Sequence, residues 1–242
     1  LHTTHGRAIA YATGAKVGNP DLETVVVSGD GDLAGIGGNH LIHAARRNID
    51  LTVILVNNFT YGMTGGQVAP TTPHDSMTTT SPFGNPEDAI DISGVAAEAG
   101  AAFVARQPTS RPEAVVAAIK DALETDGFAL VEVVSQCPTV YGRRNEMASA
   151  PQMLDWMEDQ ISAGELTVGT IAERSRAEFV DSLSAVQERA VAQHEPTVRS
   201  APEHQGEDYM LRIAGEGGQG VVTAGTILGE AAALNGRNVF KT

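Results

Sequence analysis

The sequence predicts an α/β fold, a parallel sheet with helices on both faces, followed by a truncated second α/β unit. Two observations carry that prediction. Continuous apolar runs rich in β-branched residues recur at 24–28, 51–56 and 128–134, and segments of helical periodicity separate them. Strands covered on both faces read as unbroken apolar runs rather than alternating ones, and helices between them imply parallel pairing.

The elements follow in order. Residues 24–28 (TVVVS) form a strand, and Gly29-Asp30-Gly31-Asp32 turns the chain. Leu33, Ile36, His40, Leu41 and Ala44 then recur at helical spacing, so a helix runs to Arg46-Arg47-Asn48. Residues 51–56 (LTVILV) form a fully buried strand. A stretch rich in Gly, Thr and Pro spans 57–91, too long for a plain connection; such loops are functional or disordered. The composition of Tyr61-Gly62-Met63-Thr64-Gly65-Gly66-Gln67 favours binding for at least the first third of this loop. A helix at 93–100, a strand at 102–105, a helix at 112–125 and a strand at 128–134 follow. Beyond about residue 163 the character changes. Residues 170–193 read as one amphipathic helix and 194–208 as a polar linker with Pro196 and Pro202. A strand (209–214), a glycine turn (215–220) and a helix (221–235) then open another α/β unit. The expected domains are 1–163 and 209–242, joined by a helical and polar segment at 164–208. Both ends read as cut, since the chain opens on Leu1-His2-Thr3 and stops within the apolar run Val239-Phe240.

Composition narrows the function. The net charge of −14 disfavours nucleic acid and anionic lipid as partners. An acidic chain that binds a polyphosphate needs a cation or helix N-termini for the purpose. No apolar run approaches the roughly 20 residues that span a bilayer. The one cysteine, Cys137, rules out an internal disulfide framework and points to a reducing, cytoplasmic compartment.

Chemistry concentrates at two places that the fold brings together. Gly29-Asp30-Gly31 and Asn57-Asn58 are separated by residues 32–56. A strand, a right-handed crossover helix and a parallel strand put both strand ends on one edge of the sheet. Asp30 ends the first strand and Asn58 the second, so a carboxylate and an amide oxygen converge where open α/β sheets bind ligands. Hard oxygen ligands suit Mg²⁺ or Ca²⁺, with phosphate oxygens and water completing the shell. The helix after Asp32 aims its free N–H groups at the same anion, and Gly29 and Gly31 permit close backbone approach. A cation also resolves the repulsion between a diphosphate and the Asp30–Asp32 pair.

Gly29-Asp30-Gly31 with Asn57-Asn58 at this interval resembles the thiamine diphosphate motif. His5-Gly6-Arg7, Ala12-Thr13-Gly14-Ala15-Lys16, Gly37-Gly38-Asn39-His40, the 61–67 loop, Ser135-Gln136-Cys137-Pro138-Thr139 and Tyr141-Gly142-Arg143-Arg144-Asn145 resemble the β subunit of 2-oxoacid:ferredoxin oxidoreductases. That likeness spans roughly residues 1–160. Residues 213–221 (IAGEGGQGV) resemble the opening of the γ subunit, as in a fused or run-together pair.

The resemblance implies the thiamine-diphosphate-binding fold. It also implies oxidative decarboxylation of a 2-oxoacid, with 2-oxoglutarate preferred. Thiamine diphosphate attacks the 2-oxo carbon, electrons leave singly through a [4Fe–4S] cluster to ferredoxin, and coenzyme A takes the acyl group. Asp30 and Asn58 would bind Mg²⁺ through side chains and Thr60 through its backbone oxygen. Gly29, Gly31, Asp32, Tyr61, Gly62 and Met63 would line the cofactor, as would His5. Cys137 would be one cluster ligand. A [4Fe–4S] cluster takes four thiolates; the resemblance implies that the family's other cysteines lie upstream of Leu1 and that α and γ subunits complete a hetero-oligomer. The acid that activates the aminopyrimidine is expected from another subunit.

Weaker signals stand beside these. His2/His5 and His40/His43 have zinc-like spacing without an evident third ligand. Arg143 and Arg144 could fork a second substrate carboxylate or face solvent. The glycine run at 215–220 is a weak dinucleotide signal. Two other readings compete: a non-redox thiamine diphosphate decarboxylase or synthase, and a non-catalytic assembly module.

Overall fold

The computed structural model describes residues 2–193. The elements are α1 (Ala8–Gly18), β1 (Val25–Gly29), α2 (Gly38–Arg47), β2 (Leu51–Asn57), β3 (Thr60–Tyr61), β4 (Gln67–Val68), α3 (Ile92–Ala99), β5 (Phe103–Pro108), α4 (Pro112–Leu123), β6 (Phe128–Val134), α5 (Ala150–Ala163), β7 (Gly169–Glu173) and α6 (Phe179–Gln193). Short wide-turn helices precede α2 at Gly31–Ile36 and follow β6 at Pro138–Gly142. The chain divides into compact units at Leu1–Gln187 and Glu188–Thr242. The expected linker and second α/β unit beyond residue 193 lie outside the described residues.

The main sheet has the order β1-β2-β6-β5-β7. Its first four strands are parallel, with Gly29 opposite Val56 and Asn57 opposite Val134 at the carboxyl edge. Alternation along the strands sends side chains to opposite faces. Val26, Leu51, Val53, Leu55, Val104, Phe128 and Leu130 join α1, α2 and α3 in one core cluster. Phe103, Ala105, Ala129, Val131 and Val133 join α4 in another. On the α4 side the cover stops short of the edge strand β1, where Val25 and Val27 stay exposed.

Three differences from the sequence-based expectation have physical causes. Residues 169–173 form an edge strand antiparallel to β5, where a helix was expected, so the sheet is mixed. This stretch carries Thr170 and Ile171, and pairing with β5 satisfies a backbone row that a solvated helix would leave unused. The helix expected after Asp32 is broken at Gly35 (φ −82°, ψ −110°), and α2 starts only at Gly38. Finally, α1 was not foreseen: it is built largely from small residues and buries Ile9, Ala12 and Lys16.

At the amino edge of the sheet, Asn48 closes α2 in the left-handed region (φ 56°) and is fully buried. Its Oδ1 accepts from the Phe128 N–H at 3.0 Å, and its Nδ2 faces the carbonyls of Arg176 and Ala177, each at 3.3 Å. Asn48→Ala strands a buried N–H and puts an alanine at positive φ. The expected cost is about 3 kcal/mol, or a Tm drop of roughly 6–12 °C at this chain length. A drop of less than about 2 °C in thermal unfolding would show that the joint is not where the fold is held.

Candidate functional site

The site lies where β1, β2 and β6 end together. The carboxylate of Asp30, one residue past β1, is almost wholly buried. Its Oδ2 accepts from the Thr71 hydroxyl, itself buried in the long loop. Burial pushes the Asp30 carboxyl up from its ordinary value; the Thr71 hydroxyl and nearby N–H groups, Gly31's among them, pull it down without offsetting the rise.

Asn58, one residue past β2, faces Asp30. Its side-chain oxygen stands 3.3 Å from Asp30 Oδ1 and 2.7 Å from the Thr60 carbonyl oxygen. In that orientation the Asn58 oxygen faces two other oxygens, and its one donor is the Thr60 N–H at 3.3 Å. Such a cluster is repulsive unless the amide turns its NH₂ inward or a cation joins the oxygens. Adjacent vertices of an octahedron with bonds of about 2.1 Å lie about 3.0 Å apart, so the donor set and spacing fit Mg²⁺. Without metal the NH₂-inward orientation is the satisfied one, donating to Asp30 Oδ1 and the Thr60 carbonyl; with metal only the oxygen-inward one serves.

The turn that presents these oxygens is tightly specified. Phe59 takes a left-handed conformation (φ 65°), costly for a bulky residue unless its surroundings impose it. Its N–H donates to Asn57 Oδ1 at 3.1 Å, and its carbonyl accepts from the Thr72 hydroxyl at 2.6 Å. The Thr60 hydroxyl donates to the Gln67 carbonyl at 2.9 Å, bending the glycine loop back through the β3–β4 hairpin.

Tyr61 covers the Gly29–Gly31 turn. Its hydroxyl donates to the Gly31 carbonyl at 2.9 Å, and a Cβ on Gly31 would lie 2.3 Å from the ring. Burial, with Asp30 and Asp32 nearby, raises the phenol pKa. Gly62 sits against Asn58: a Cβ there would meet the Asn58 amide at 3.7 Å and Cys137 Sγ at 3.9 Å. Met63 is fully exposed at the loop tip.

Asp32 points away from this cluster. One carboxylate oxygen takes the Gly6 N–H at 2.5 Å and His5 Nδ1 at 2.6 Å, and the other accepts from Ser28 Oγ. Its acceptor capacity thus goes to docking the His5–Gly6 segment, and His5 meets the Tyr61 ring edge-on at 6.2 Å. Cys137 comes alongside because Ser135 N–H bonds the Asn57 carbonyl at 2.8 Å, carrying β6 past the tip of β2. Behind it, Asn145 is tied to the backbone of Met77 and Tyr141, and Tyr141 lies 2.9 Å from Ser76 Oγ. Arg143 and Arg144 are exposed. Neither histidine pair gains a third ligand: among the described residues no group of three His, Cys, Asp or Glu side chains could hold a metal. His40 Nε2 is 2.7 Å from Arg7 Nη1 instead.

Thr71 and Thr72 were not singled out by the sequence reading, which favoured binding for at least the first third of the loop. Their one signal is a pair of threonines bracketed by Pro70 and Pro73, and loops have no periodicity that marks which residues turn inward.

Comparison with known proteins shows the family. Residues 1–133 match the family described as "Thiamine pyrophosphate enzyme, C-terminal TPP binding domain". The 2-oxoglutarate synthase subunit KorB of Methanocaldococcus jannaschii is 48% identical over 203 residues, 78% of this chain and 75% of that one. The chain belongs to the β subunits of the 2-oxoacid:ferredoxin oxidoreductases. This β subunit is also 45% identical over 139 residues to the 2-oxoacid:ferredoxin oxidoreductase subunit beta of a Sulfolobus species, covering 57% of this chain and 46% of the relative. A solved 2-oxoglutarate:ferredoxin oxidoreductase from Magnetococcus marinus, with 2-oxoglutarate, coenzyme A and succinyl-CoA bound, superposes with a TM-score of 0.69. The two are 32% identical over 81% of this chain and 72% of that one. Residues 210–242 match the family described as "Pyruvate ferredoxin/flavodoxin oxidoreductase". The β subunit thus carries the thiamine-diphosphate-binding domain of an oxidoreductase. Among its described residues, no helix is long and apolar enough to cross a membrane.

Proposed function

We propose that this β subunit supplies the metal and diphosphate half of the active site in an enzyme that oxidatively decarboxylates 2-oxoglutarate to an acyl-CoA and reduces ferredoxin. The meeting of the Asn58 amide with the Asp30 carboxylate and the Thr60 carbonyl carries the reading. Asp30 would supply charge and Asn58 and Thr60 neutral oxygens to hold Mg²⁺, which would supply the positive charge that a diphosphate needs beside these acidic residues. Thiamine diphosphate, when bound, supplies a nucleophilic carbon and a cationic ring that accepts the electrons freed by decarboxylation.

The chain's own residues prepare that chemistry. Thr71 fixes the Asp30 carboxylate by a hydrogen bond on its far oxygen. Tyr61 holds the Gly31 carbonyl and roofs the turn, keeping water off the buried carboxylate. Gly29 leaves room for a close ligand, Gly31 seats the Tyr61 ring, Gly62 lies against Asn58 and Cys137, and His5 is oriented by Asp32 at the rim. Cys137 is suited to be one ligand of a [4Fe–4S] cluster, because it lies beside Gly62 and is not fully buried. Such a cluster takes four thiolates, so three others come from outside these 242 residues. Partner subunits, coenzyme A and ferredoxin complete the scheme, and residues 209–242 would open a γ-like domain after the 164–208 segment. Exposed Arg143 and Arg144, on the loop beyond Cys137, are available to a dicarboxylate.

Reconstitution with the partner subunits tests the reading. The enzyme is expected to contain iron and to reduce viologen only when both 2-oxoglutarate and coenzyme A are present. Decarboxylation without iron or an electron acceptor would leave a non-redox thiamine enzyme instead.

A further inference from the structure

The metal-binding turn is joined to a buried ionic network that the site chemistry does not use. Glu132 sits in the middle of β6, opposite Leu55 on β2 and Arg106 on β5, and is only 3% exposed. Its Oε2 accepts from Ser93 Oγ at 2.5 Å and from Arg106 Nε at 2.8 Å. Arg106 in turn pairs with Asp91 at the start of α3. The other oxygen, Oε1, accepts from Asn57 Nδ2 at 2.8 Å. A carboxylate so deep persists only when it is paired and fully hydrogen-bonded, as this one is.

The consequence lies in the Asn57 amide. An ionised carboxylate can only accept, so it compels the Asn57 NH₂ to face Glu132. The amide oxygen is thereby turned to the Phe59 N–H, where it holds Phe59 at positive φ. That backbone conformation brings the Asn58 amide against both Asp30 Oδ1 and the Thr60 carbonyl. We infer that Glu132 is a positioning residue for the metal site, acting through Asn57: it sets the amide orientation that shapes the Asn58–Thr60 turn. The inference rests on the Mg²⁺ reading above.

A reciprocal amide–carboxylate exchange tests it. In Glu132→Gln, the new amide must turn its oxygen to Arg106 and Ser93, leaving its NH₂ against the Asn57 NH₂. Asn57 can escape only by rotating its own NH₂ onto the Phe59 N–H. In Asn57→Asp, two carboxylates meet. In the double variant, the introduced glutamine accepts from Arg106 and Ser93 through its oxygen and donates its NH₂ to the new carboxylate, which still accepts from Phe59. Every bond is restored with the charge moved by one link.

Titration calorimetry of thiamine diphosphate into the assembled enzyme, at graded Mg²⁺, reads the effect, with Tm followed in parallel. Each single variant is expected to raise the half-saturating Mg²⁺ about 10- to 100-fold, the range for residues that orient metal ligands. The double variant should return to within about threefold of wild type. If the single variants lower Tm but leave the Mg²⁺ requirement unchanged, Glu132 is merely structural and the inference is overturned. It is equally overturned if the double variant is as impaired as the worse single one. Wild-type enzyme that holds thiamine diphosphate equally well in chelator would overturn the metal reading itself, and this inference with it.

Discussion

Asp30→Ala in the assembled enzyme is expected to abolish Mg²⁺-dependent retention of thiamine diphosphate. Asp30 is the only charged member of the converging oxygens, and its replacement leaves two neutral donors for a divalent ion. Substitutions that merely orient metal ligands cost about 10- to 100-fold, so loss of the anionic ligand should exceed about 100-fold in cofactor affinity at fixed Mg²⁺. Fold stability should survive. Burial pushes the Asp30 carboxyl up, which means that the folded protein holds this charge at a disadvantage until a cation joins it. Asp30→Ala should therefore show a Tm at or near that of the wild type without metal, together with loss of the Tm gain that Mg²⁺ and cofactor confer on wild type. Calorimetry finding unchanged affinity would reduce Asp30 to a turn residue.

Gly31→Ala should produce the second large effect, by sterics alone. The added Cβ would stand 2.3, 2.6 and 2.8 Å from three atoms of the Tyr61 ring. The ring cannot simply tilt away, because its hydroxyl is bonded to the carbonyl of Gly31 itself. Overpacking of this kind costs about 1–3 kcal/mol, roughly 2–12 °C in Tm for a chain of this size. Cofactor affinity should fall as well, since the displaced ring no longer roofs the turn. The discriminating measurement is the double variant with Tyr61→Ala. Removing the ring opens the space, so Gly31→Ala should cost much less in that background. Equal cost in both backgrounds would place the clash elsewhere.

The sequence disclosed some elements closely and others poorly, for identifiable reasons. Residues 128–134 are apolar throughout except Glu132, and the strand matches that span because a central strand is covered on both faces. The interval between Asp30 and Asn58 was legible because a strand, a crossover and a parallel strand leave little freedom in where their ends fall. By contrast, residues 170–173 were misread as helical. An edge strand buries only one side, and its few apolar residues fit either periodicity. The break at Gly35 was hidden because Leu33, Ile36, His40 and Leu41 keep helical spacing across it. Thr71 and Thr72 carry no pattern at all; their value comes from the loop folding back over the turn.

Asp32, which the resemblance implies as a cofactor contact, has its side-chain oxygens engaged by Ser28, His5 and Gly6, a set of partners that no sequence pattern marks. Glu132 is a second such case. In the sequence it is one charge inside an apolar strand, an apparent defect, and only Asn57, Ser93 and Arg106 around it reveal what it does.

By itself, the sequence determined the layered α/β architecture and brought a carboxylate and an amide to neighbouring strand ends. Both follow from local periodicity and the handedness of crossovers, which act within some thirty residues. Tertiary structure alone decided how closely the Asn58 amide meets the Asp30 carboxylate, what occupies the Asp32 oxygens, and which hydroxyls and buried charges hold the turn in place. Those depend on atoms brought within about 3 Å from segments far apart in the chain, and no short-range pattern records that.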